Sequence, residues 1–387
     1  SLSDPSAMPR KRQVEREAVA EGLQKSSGAS GWSCYAVALG VLLGVAYRFF
    51  FMQPTESSRL SPDAQTCWLN FDEARKTLQN APSVSNEPFL TWAERNGVNL
   101  LKAQVKLREG AIGGLEVGPD IHLQKMDDVF HIPAALALFM HSRASFREPA
   151  DLSCLQLLDS HEEMIAGLVL ALLTEAHQSS NSAWSPYIEQ LPKFADFRLN
   201  PLLSPLEEMS QFEGLEVADY SRQHQEDANN TFLQLTNRPT RCLEGAATVA
   251  SYDEYLWARL VVETRALRDV HICDTKMSVL LPVFDSINTG RSGSFNIRLS
   301  SRDMNTTPSF SMMADAQLSP GEELVVHYKE APNDQLAATW GFILPGNALL
   351  VDRLPEKDCQ RLRMAKCIIP GCLFAALRDE ACRPLDV

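Results

Sequence analysis

Residues 277–288, MSVLLPVFDSIN, form a near-continuous apolar run that ends in a cluster of polar residues. An apolar run bounded by polar residues predicts a buried strand, here over Met277–Phe284. Asp285 and Asn288 then lie just beyond the end of that strand. Polar side chains at the end of a buried strand are candidates for a functional site, because a rigid scaffold positions them.

A second strand is predicted downstream, within SPGEELVVHY at 319–328. Ser319-Pro320-Gly321 is a turn signal, and the strand follows it over 323–328. Side chains alternate between the two faces of a strand, so Leu324, Val326 and Tyr328 share one face. Tyr328 is therefore expected to point inward, beside the polar end of the first strand. We expect its hydroxyl to be neutral, with an unperturbed pKa of about 10.

Two helices are predicted in the middle of the chain. The capping boxes Ser160–Glu163 and Ser251–Glu254 each precede apolar residues at helical spacing. Upstream of them, Gly113 and Gly114 form a predicted turn before Leu115. The order of strands, then helices, then strands indicates an α+β fold with a helical insertion, not a doubly wound sheet.

The composition is that of a globular protein. The chain has 387 residues, of which 45% are hydrophobic and 22% charged, and these values exclude wholesale disorder. Its net charge of −13 argues against a protein that binds nucleic acid by neutralising phosphates. The sequence contains no P-loop, no GxSxG elbow, no HExxH motif and no Rossmann glycine set.

The nine cysteines are scattered, and no two of them form a CxxC pair. Structural zinc sites need ligands at close spacing, so we expect no metal site. Scattered cysteines in a chain of this length predict reduced thiols in an intracellular compartment. The prediction of unpaired thiols includes the four C-terminal cysteines, which are Cys359, Cys367, Cys372 and Cys382.

Residues 32–52 are apolar except for Arg48 and span 21 residues, close to the length of a helix that crosses a bilayer. They are interpreted as a membrane anchor or as the apolar part of a cleaved targeting peptide, with a buried helix as the third alternative. Four basic residues within 10–16 favour a cytosolic N-terminus. We therefore expect a membrane-associated protein with an intracellular catalytic domain, or an organelle-targeted protein, for which a plastid is one destination.

The rest of the chain divides by composition. The predicted segments are a disordered tail at 1–31, a linker at 53–86 with a short helix around Cys67–Leu78, a globular domain at 87–350 with a helical insert at about 151–270, and a short C-terminal remnant at 351–387.

Several segments match one known family in the same order along the chain. They read FLTWAERNGV (89–98), GAIGGLEVGPDI (110–121), WSPYIEQLPK (184–193), YLWARLVVETRAL (255–267), LLPVFDSIN (280–288), SPGEELVVHY (319–328) and NDQLAATWGFILPGN (333–347). Together they resemble the SET-domain lysine methyltransferases, in particular the subgroup of the Rubisco large-subunit methyltransferase. The resemblance implies a SET fold of small β-sheets with a helical insertion.

The resemblance also implies the site residues. S-adenosylmethionine is the implied cofactor, and its implied contacts are Gly113, Gly114, Arg265, Asn288 and, in place of the family's histidine, Thr289. Tyr328 matches the catalytic tyrosine of the family. Asp285 matches the acidic residue near the substrate channel, and Trp340 matches an aromatic wall of that channel.

The implied function is transfer of a methyl group to a lysine of a protein substrate. We also expect the enzyme to be monomeric and to have no nucleic-acid partner. Two positions depart from the family pattern, because Thr289 replaces a histidine and Lys329 replaces a glycine. These departures keep open a catalytically inactive binding module that retains the SET fold. A protein-histidine methyltransferase is the other alternative, since the subgroup includes such enzymes.

Overall fold

A computed structural model describes much of the chain from Pro62 onward. The described residues are 62–80, 87–100, 103–108, 113–139, 160–236, 250–273, 275–290, 296–302, 309–347, 354, 356–365 and 373–382. The chain divides into two units, Ser1–Leu60 and Ser61–Val387. The predicted tail at 1–31 and the predicted apolar helix at 32–52 belong to the first unit and lie outside the described residues.

The helices fall mainly in the middle and at the end of the second unit. They are α1 (Pro62–Asn80), α2 (Phe89–Arg95), α3 (Ser160–Gln178), α4 (Ser185–Gln190), α5 (Leu206–Gln211), α6 (Glu216–Thr236), α7 (Tyr252–Arg265), α8 (Asn333–Trp340), α9 (Glu356–Leu362) and α10 (Leu373–Ala381). The predicted capping box before α7 is formed, since the amide of Glu254 donates to the hydroxyl of Ser251 at 3.3 Å. Across the described ranges, no helix has both the length and the apolar character of a membrane span.

The strands are short and make several small sheets. They are β1 (Lys106–Leu107), β2 (Leu115–Glu116), β3 (Asp128–Pro133), β4 (Leu267–Ile272), β5 (Thr275–Val279), β6 (Asn288–Thr289), β7 (Ile297–Arg302), β8 (Ser309–Ala314) and β9 (Val325–Val326). The antiparallel sheets are β1–β2, β3–β8–β7 and β4–β5, and β6 pairs with β9 in parallel. Helices α3 to α7 lie between β3 and β4, so the predicted α+β class is confirmed.

The strand predicted over Met277–Phe284 is shorter in the structure, and this prediction needs correction. Its ladder ends at Val279. Pro282 has no N–H to donate, and Val283 has φ of 73°, so the chain turns into a 3₁₀ segment at Phe284–Ser286. The apolar run therefore reflects burial in a tight turn rather than a continuous strand.

The segment predicted as a linker at 53–86 contains α1, which is longer than the predicted short helix and packs into the core. Trp68 and Phe71 are buried, and the ring centroid of Phe71 lies 5.5 Å from that of Phe139. The guanidinium of Arg75 lies 4.8 Å from the ring centroid of Phe139. The folded unit therefore begins before residue 87.

Two disulfides contradict the prediction of reduced thiols. Cys67 of α1 is bonded to Cys273 in the turn between β4 and β5, and Cys359 of α9 is bonded to Cys382 after α10. The partners are 206 and 23 residues apart, so no close-spaced motif reveals them in the sequence. No three His, Cys, Asp or Glu side chains in the described part of the chain are grouped as metal ligands.

A buried arginine connects the helices of the insert. Arg259 of α7 has no exposed surface and pairs at 2.8 Å with Glu162 of α3 and with Glu263 one turn further along α7. Burial alone would lower the pKa of Arg259, but the two carboxylates raise it, so the side chain stays charged. His224 of α6 lies 3.7 Å from Glu263. The network fixes α7, which carries Arg265 at its C-terminal end.

The C-terminal helices pack against the insert and α8. One buried cluster joins them, formed by Met209, Phe212, Leu215, Val217, Ala218, Ala337, Ala338, Leu362, Phe374, Leu377 and Ala381. The segment at 351–387 is therefore part of the folded unit through the helices that the structure describes.

Candidate functional site

The glycine turn before β2 lies against the polar end of the apolar run. Gly113 and Gly114 have φ values of 67° and 113°, which side chains other than glycine rarely adopt. The amide nitrogen of Asn288 donates to the carbonyl oxygen of Gly113 at 3.3 Å. A Cβ atom at Gly114 would lie 2.7 Å from that amide nitrogen, so the approach requires glycine.

Glu323 and Arg108 extend this contact on the side of Asn288. The amide of Asn288 also donates to Glu323 Oε1 at 2.9 Å, and the other carboxylate oxygen of Glu323 pairs with Arg108. Sequence reasoning assigned no role to Glu323 or Arg108. Glu323 lies within the quoted SPGEELVVHY segment, so a signal for it was present in the sequence.

The β6–β9 pair brings the two predicted polar ends together. Asn288 pairs with Val325, and Thr289 pairs with Val326. Beyond the ladder, the backbone N–H of Tyr328 donates to Thr289 Oγ1 at 3.4 Å. Thr289 therefore bonds to the backbone of the tyrosine that the sequence singles out.

Tyr328 lies inside the site, as its predicted strand direction requires. Its hydroxyl donates to the carbonyl oxygen of Ile287 at 2.5 Å, and its ring centroid lies 5.8 Å from that of Trp340. Burial raises the pKa of Tyr328 to about 12, with Arg265 opposing the shift and Asp285 adding to it. The expectation of an unperturbed pKa is therefore wrong, although the expectation of a neutral hydroxyl gains support.

Asp285 is buried, with 5% of its surface exposed, and two residues hold it. Tyr187 of α4 donates its hydroxyl to Asp285 Oδ2 at 2.5 Å, and Arg265 Nη1 donates to the Asp285 carbonyl oxygen at 2.5 Å. Burial raises the pKa of Asp285 to about 6, and the opposing effects of Arg265 and Tyr187 are smaller. Tyr187 was missed as a site residue, although it stands in the quoted WSPYIEQLPK segment.

One N–H group of Arg265, at Nε, is buried in the site without a hydrogen-bond acceptor among the described residues. Its Nη1, by contrast, is bonded to Asp285. A buried guanidinium N–H without a partner is costly. The geometry therefore favours an external acceptor, such as a carboxylate, at this position.

The structure gathers the predicted site residues into one region. The contacts above join Gly113, Gly114, Asn288, Thr289, Asp285, Arg265, Tyr328 and Trp340. They come from a glycine turn, the C-terminal ends of two helices, a tight turn, and the paired strands β6 and β9 with the residues that follow them. Such an arrangement of backbone dipoles, a guanidinium and a phenol suits a small polar ligand that lies beside a second, less polar group.

No family model matches the chain, and no curated protein sequence matches it. Several solved structures are similar to it, among them the following two. The SET domain of LSMT bound to lysine and AdoHcy has a TM-score of 0.50 and 17% identity over 69% of this chain. Rubisco LSMT bound to sinefungin and monomethyllysine has a TM-score of 0.51 and 19% identity over 74% of this chain.

The chain has the fold of a SET domain. It spans 58% and 57% of the lengths of those two structures. Within this fold, the parallel pairing of β6 and β9 positions Asn288, Thr289 and Tyr328, and the glycine turn lies against Asn288.

Proposed function

We propose that this chain is an S-adenosylmethionine-dependent protein methyltransferase that methylates the side-chain nitrogen of lysine. The observation that carries the proposal is the convergence of Tyr328, Asn288 and Asp285 beside a glycine turn, within the fold of a SET domain. The two structural neighbours were solved with AdoHcy or sinefungin and with lysine or monomethyllysine. Those ligands support a methyl donor of this class and a lysine acceptor, as in the Rubisco methyltransferase subgroup.

The residues present fit such a donor, which carries a carboxylate, an ammonium and a sulfonium. The buried Nε of Arg265 offers a donor for a carboxylate. Gly113 and Gly114 let the backbone come close, and the carboxylate of Glu323 beside Asn288 offers a partner for positive charge. When bound, S-adenosylmethionine supplies an electrophilic methyl group.

The residues of the site would position the acceptor nitrogen and shield it from water. A bound donor would supply the methyl carbon and retain the sulfur, and the lysine nitrogen would have to be unprotonated to accept the methyl group. Burial around Tyr328 and Trp340 would disfavour an ammonium, and the Tyr328 hydroxyl would supply a fixed dipole inside the site. The phenol stays neutral, because its pKa of about 12 lies far above physiological pH.

The test is single-turnover methyl transfer from labelled S-adenosylmethionine to lysine-centred peptides, with the full chain and its Tyr328→Phe variant. Folding and cofactor binding should survive in the variant, while turnover falls about 10²-fold or more. Tyr252→Phe removes the same hydroxyl from α7 outside the site and should leave turnover unchanged. Equal turnover by Tyr328→Phe and the parent would contradict the role of Tyr328, and a parent chain inactive on every peptide would contradict lysine methylation.

A binding module without catalysis is the second candidate. The amide of Asn288 is already engaged by Glu323 and by Gly113, and Thr289 replaces the family's histidine. Calorimetric titration with S-adenosylmethionine separates the two candidates. Binding supports the enzyme, whereas no heat and no thermal shift at millimolar cofactor supports the module. Histidine-centred peptides in the same transfer assay test the histidine acceptor.

We further propose that the enzyme is monomeric and that residues 32–52 anchor it to a membrane or target it to an organelle. The two disulfides of the folded unit support an oxidising organelle, since such bonds are rare in the cytosol. The proposal predicts that the full chain sediments with membranes and resists carbonate extraction. Recovery of the intact chain in the soluble fraction would contradict an anchor.

A further inference from the structure

A cavity of about 250 Å³ lies between α6 and α8. Its walls include Glu216 and Val217 of α6, and Asp334 and Ala338 of α8. Lys329, which directly follows Tyr328, lines it as well. The cavity is therefore within a few residues' reach of a peptide whose lysine occupies the site beside Tyr328, since extended chain advances about 3.3 Å per residue.

Asp334 supplies a carboxylate to the wall of the cavity. It is 5% exposed, and its Oδ1 accepts a hydrogen bond from the backbone N–H of Gln335 at 2.8 Å. No described residue donates to its Oδ2. This oxygen is not among the enclosed, unpartnered side-chain atoms of the described residues, so it is accessible to a donor from outside the protein. The side chain lines the cavity, so a donor that enters the cavity would satisfy it.

The other walls suit a long basic side chain. Val217, Ala338 and the ring of Tyr220 offer apolar surface for an aliphatic stem, and an aromatic face also attracts a cation. Glu216 adds a second carboxylate. Lys329 adds the only cation of the lining, and its ammonium contacts Gln335 Oε1 at 3.4 Å. Two carboxylates against one ammonium leave the lining net negative.

We propose that this cavity binds an arginine or lysine side chain that flanks the acceptor lysine in the substrate. The substrates would then be lysines within basic segments. This inference rests on the proposed function and adds a substrate class to it.

The experiment measures binding separately from catalysis. Three fluorescent 11-residue peptides share a central lysine and carry arginine, serine or glutamate at alternating flanking positions. Their dissociation constants for the full chain are measured by fluorescence anisotropy, and methyl transfer to each is measured in parallel. The arginine peptide should bind about tenfold more tightly than the serine peptide, as expected for a charge-assisted contact.

Substitutions in the cavity lining test whether these residues cause the preference for the arginine peptide. Asp334→Asn should remove most of the arginine preference. Because Asp334 is buried, this variant can fail to fold, so a second variant is needed. Glu216→Gln changes an exposed residue of the lining and should also reduce the preference. Glu226→Gln removes the same charge from an exposed position on α6 outside the cavity lining and should leave the preference intact. It controls for general attraction of basic peptides to a chain with a net charge of −13.

The outcomes separate this inference from the proposed function. Equal binding of the arginine and serine peptides, or a preference that Asp334→Asn in folded form and Glu216→Gln both leave intact, overturns the basic subsite. Tighter binding of the glutamate peptide overturns it as well. An arginine preference that depends on Asp334, without methyl transfer to any peptide, supports the subsite and contradicts lysine methylation.

Discussion

At the scale of single residues, burial sets the chemistry of the site. Asp285 and Tyr328 both have pKa values raised by desolvation, to about 6 and about 12. A carboxyl that titrates at about 6 is partly protonated near neutral pH, and the Tyr187 hydroxyl bonds to it. The burial that causes both shifts disfavours charged groups in the site, so the phenol of Tyr328 remains an alcohol near neutral pH.

The raised pKa of Asp285 predicts a pH dependence of stability. The folded pKa of about 6 exceeds the unfolded value of about 4, so the folded chain binds more protons between these values. The contribution of Asp285 to the unfolding free energy is thus fully present below about pH 4 and is lost as pH rises through 6. Asp285→Asn should abolish this component, which is on the order of 3 kcal/mol.

Urea unfolding of the full chain at pH 4.5 and pH 7 measures the effect. Relative to the parent, Asp285→Asn should gain stability as pH rises from the first value to the second. Asp120→Asn, at an exposed carboxyl, should follow the parent at both pH values. A parent-like pH slope in Asp285→Asn would mean that Asp285 binds the same number of protons in the folded and unfolded chain over this range, which contradicts a raised pKa.

Much of this residue set was predictable, because its signals are local. Strand alternation predicts the inward direction of Tyr328, although the strand predicted over 323–328 is only Val325–Val326 in the structure. Asn288 was predicted as a polar residue beyond a strand, and it instead lies within the short strand β6. The pKa of Tyr328 was mispredicted, since burial depends on neighbours such as Arg265 and Trp340 that come from other elements. Tyr187 was missed for the same reason, because it reaches Asp285 from a helix 98 residues earlier.

At the scale of elements, the site depends on one close approach between the glycine turn and β6. Gly114 faces the Asn288 amide and the Glu323 carboxylate, so three elements meet at a position that has no side chain. The predicted position of the turn at Gly113 and Gly114 is therefore correct. The predicted strand over Met277–Phe284 failed because the φ of 73° at Val283 has no signature in an apolar run.

Gly114→Ala tests the close approach. The new methyl would lie 2.7 Å from Asn288 Nδ2 and 3.0 Å from Glu323 Oε1, at a backbone φ of 113° that alanine disfavours. We expect a loss of roughly 2–3 kcal/mol in unfolding free energy and at least about tenfold weaker cofactor binding, because the Asn288 amide must move.

Gly113→Ala is the matched control. Its φ is 67°, and a Cβ there meets nothing within 4 Å, so it should cost only the backbone strain of about 1–2 kcal/mol. Calorimetry with S-adenosylmethionine and urea unfolding on both variants give the comparison. Similar cofactor affinities for the two variants would show that the contact between Gly114 and Asn288 does not shape the binding site.

At the scale of the whole molecule, α1 links the start of the folded unit to its middle. The Cys67–Cys273 disulfide joins it to the β4–β5 turn, and Arg75 lies over the rings of Phe139 and Trp184. Burial lowers the pKa of Arg75 to about 9, with Glu175 and Asp72 opposing the shift. Composition alone could not reveal this role, because every partner of the helix is distant in sequence.

The two disulfides should differ in how much they stabilise the chain. In the chain-entropy description, a crosslink stabilises by restricting the unfolded state, and its effect grows with the logarithm of the loop it closes. The Cys67–Cys273 loop spans 206 residues and the Cys359–Cys382 loop spans 23. The ratio of these lengths predicts that the longer crosslink contributes about 2 kcal/mol more.

Urea unfolding of the full chain with both cysteines of one pair changed to serine measures each contribution. Removing the Cys67–Cys273 pair should lower the unfolding free energy by about 3–5 kcal/mol, and removing the Cys359–Cys382 pair by less. The first change should also increase proteolysis within α1, since its packing on Phe139 remains but its covalent tie to the β4–β5 turn is gone. Equal losses from the two double variants would contradict the loop-length argument. No loss from either would contradict a stabilising role for both crosslinks. Thiol titration before unfolding then shows whether the cysteines are reduced in the purified protein or form disulfides that contribute nothing.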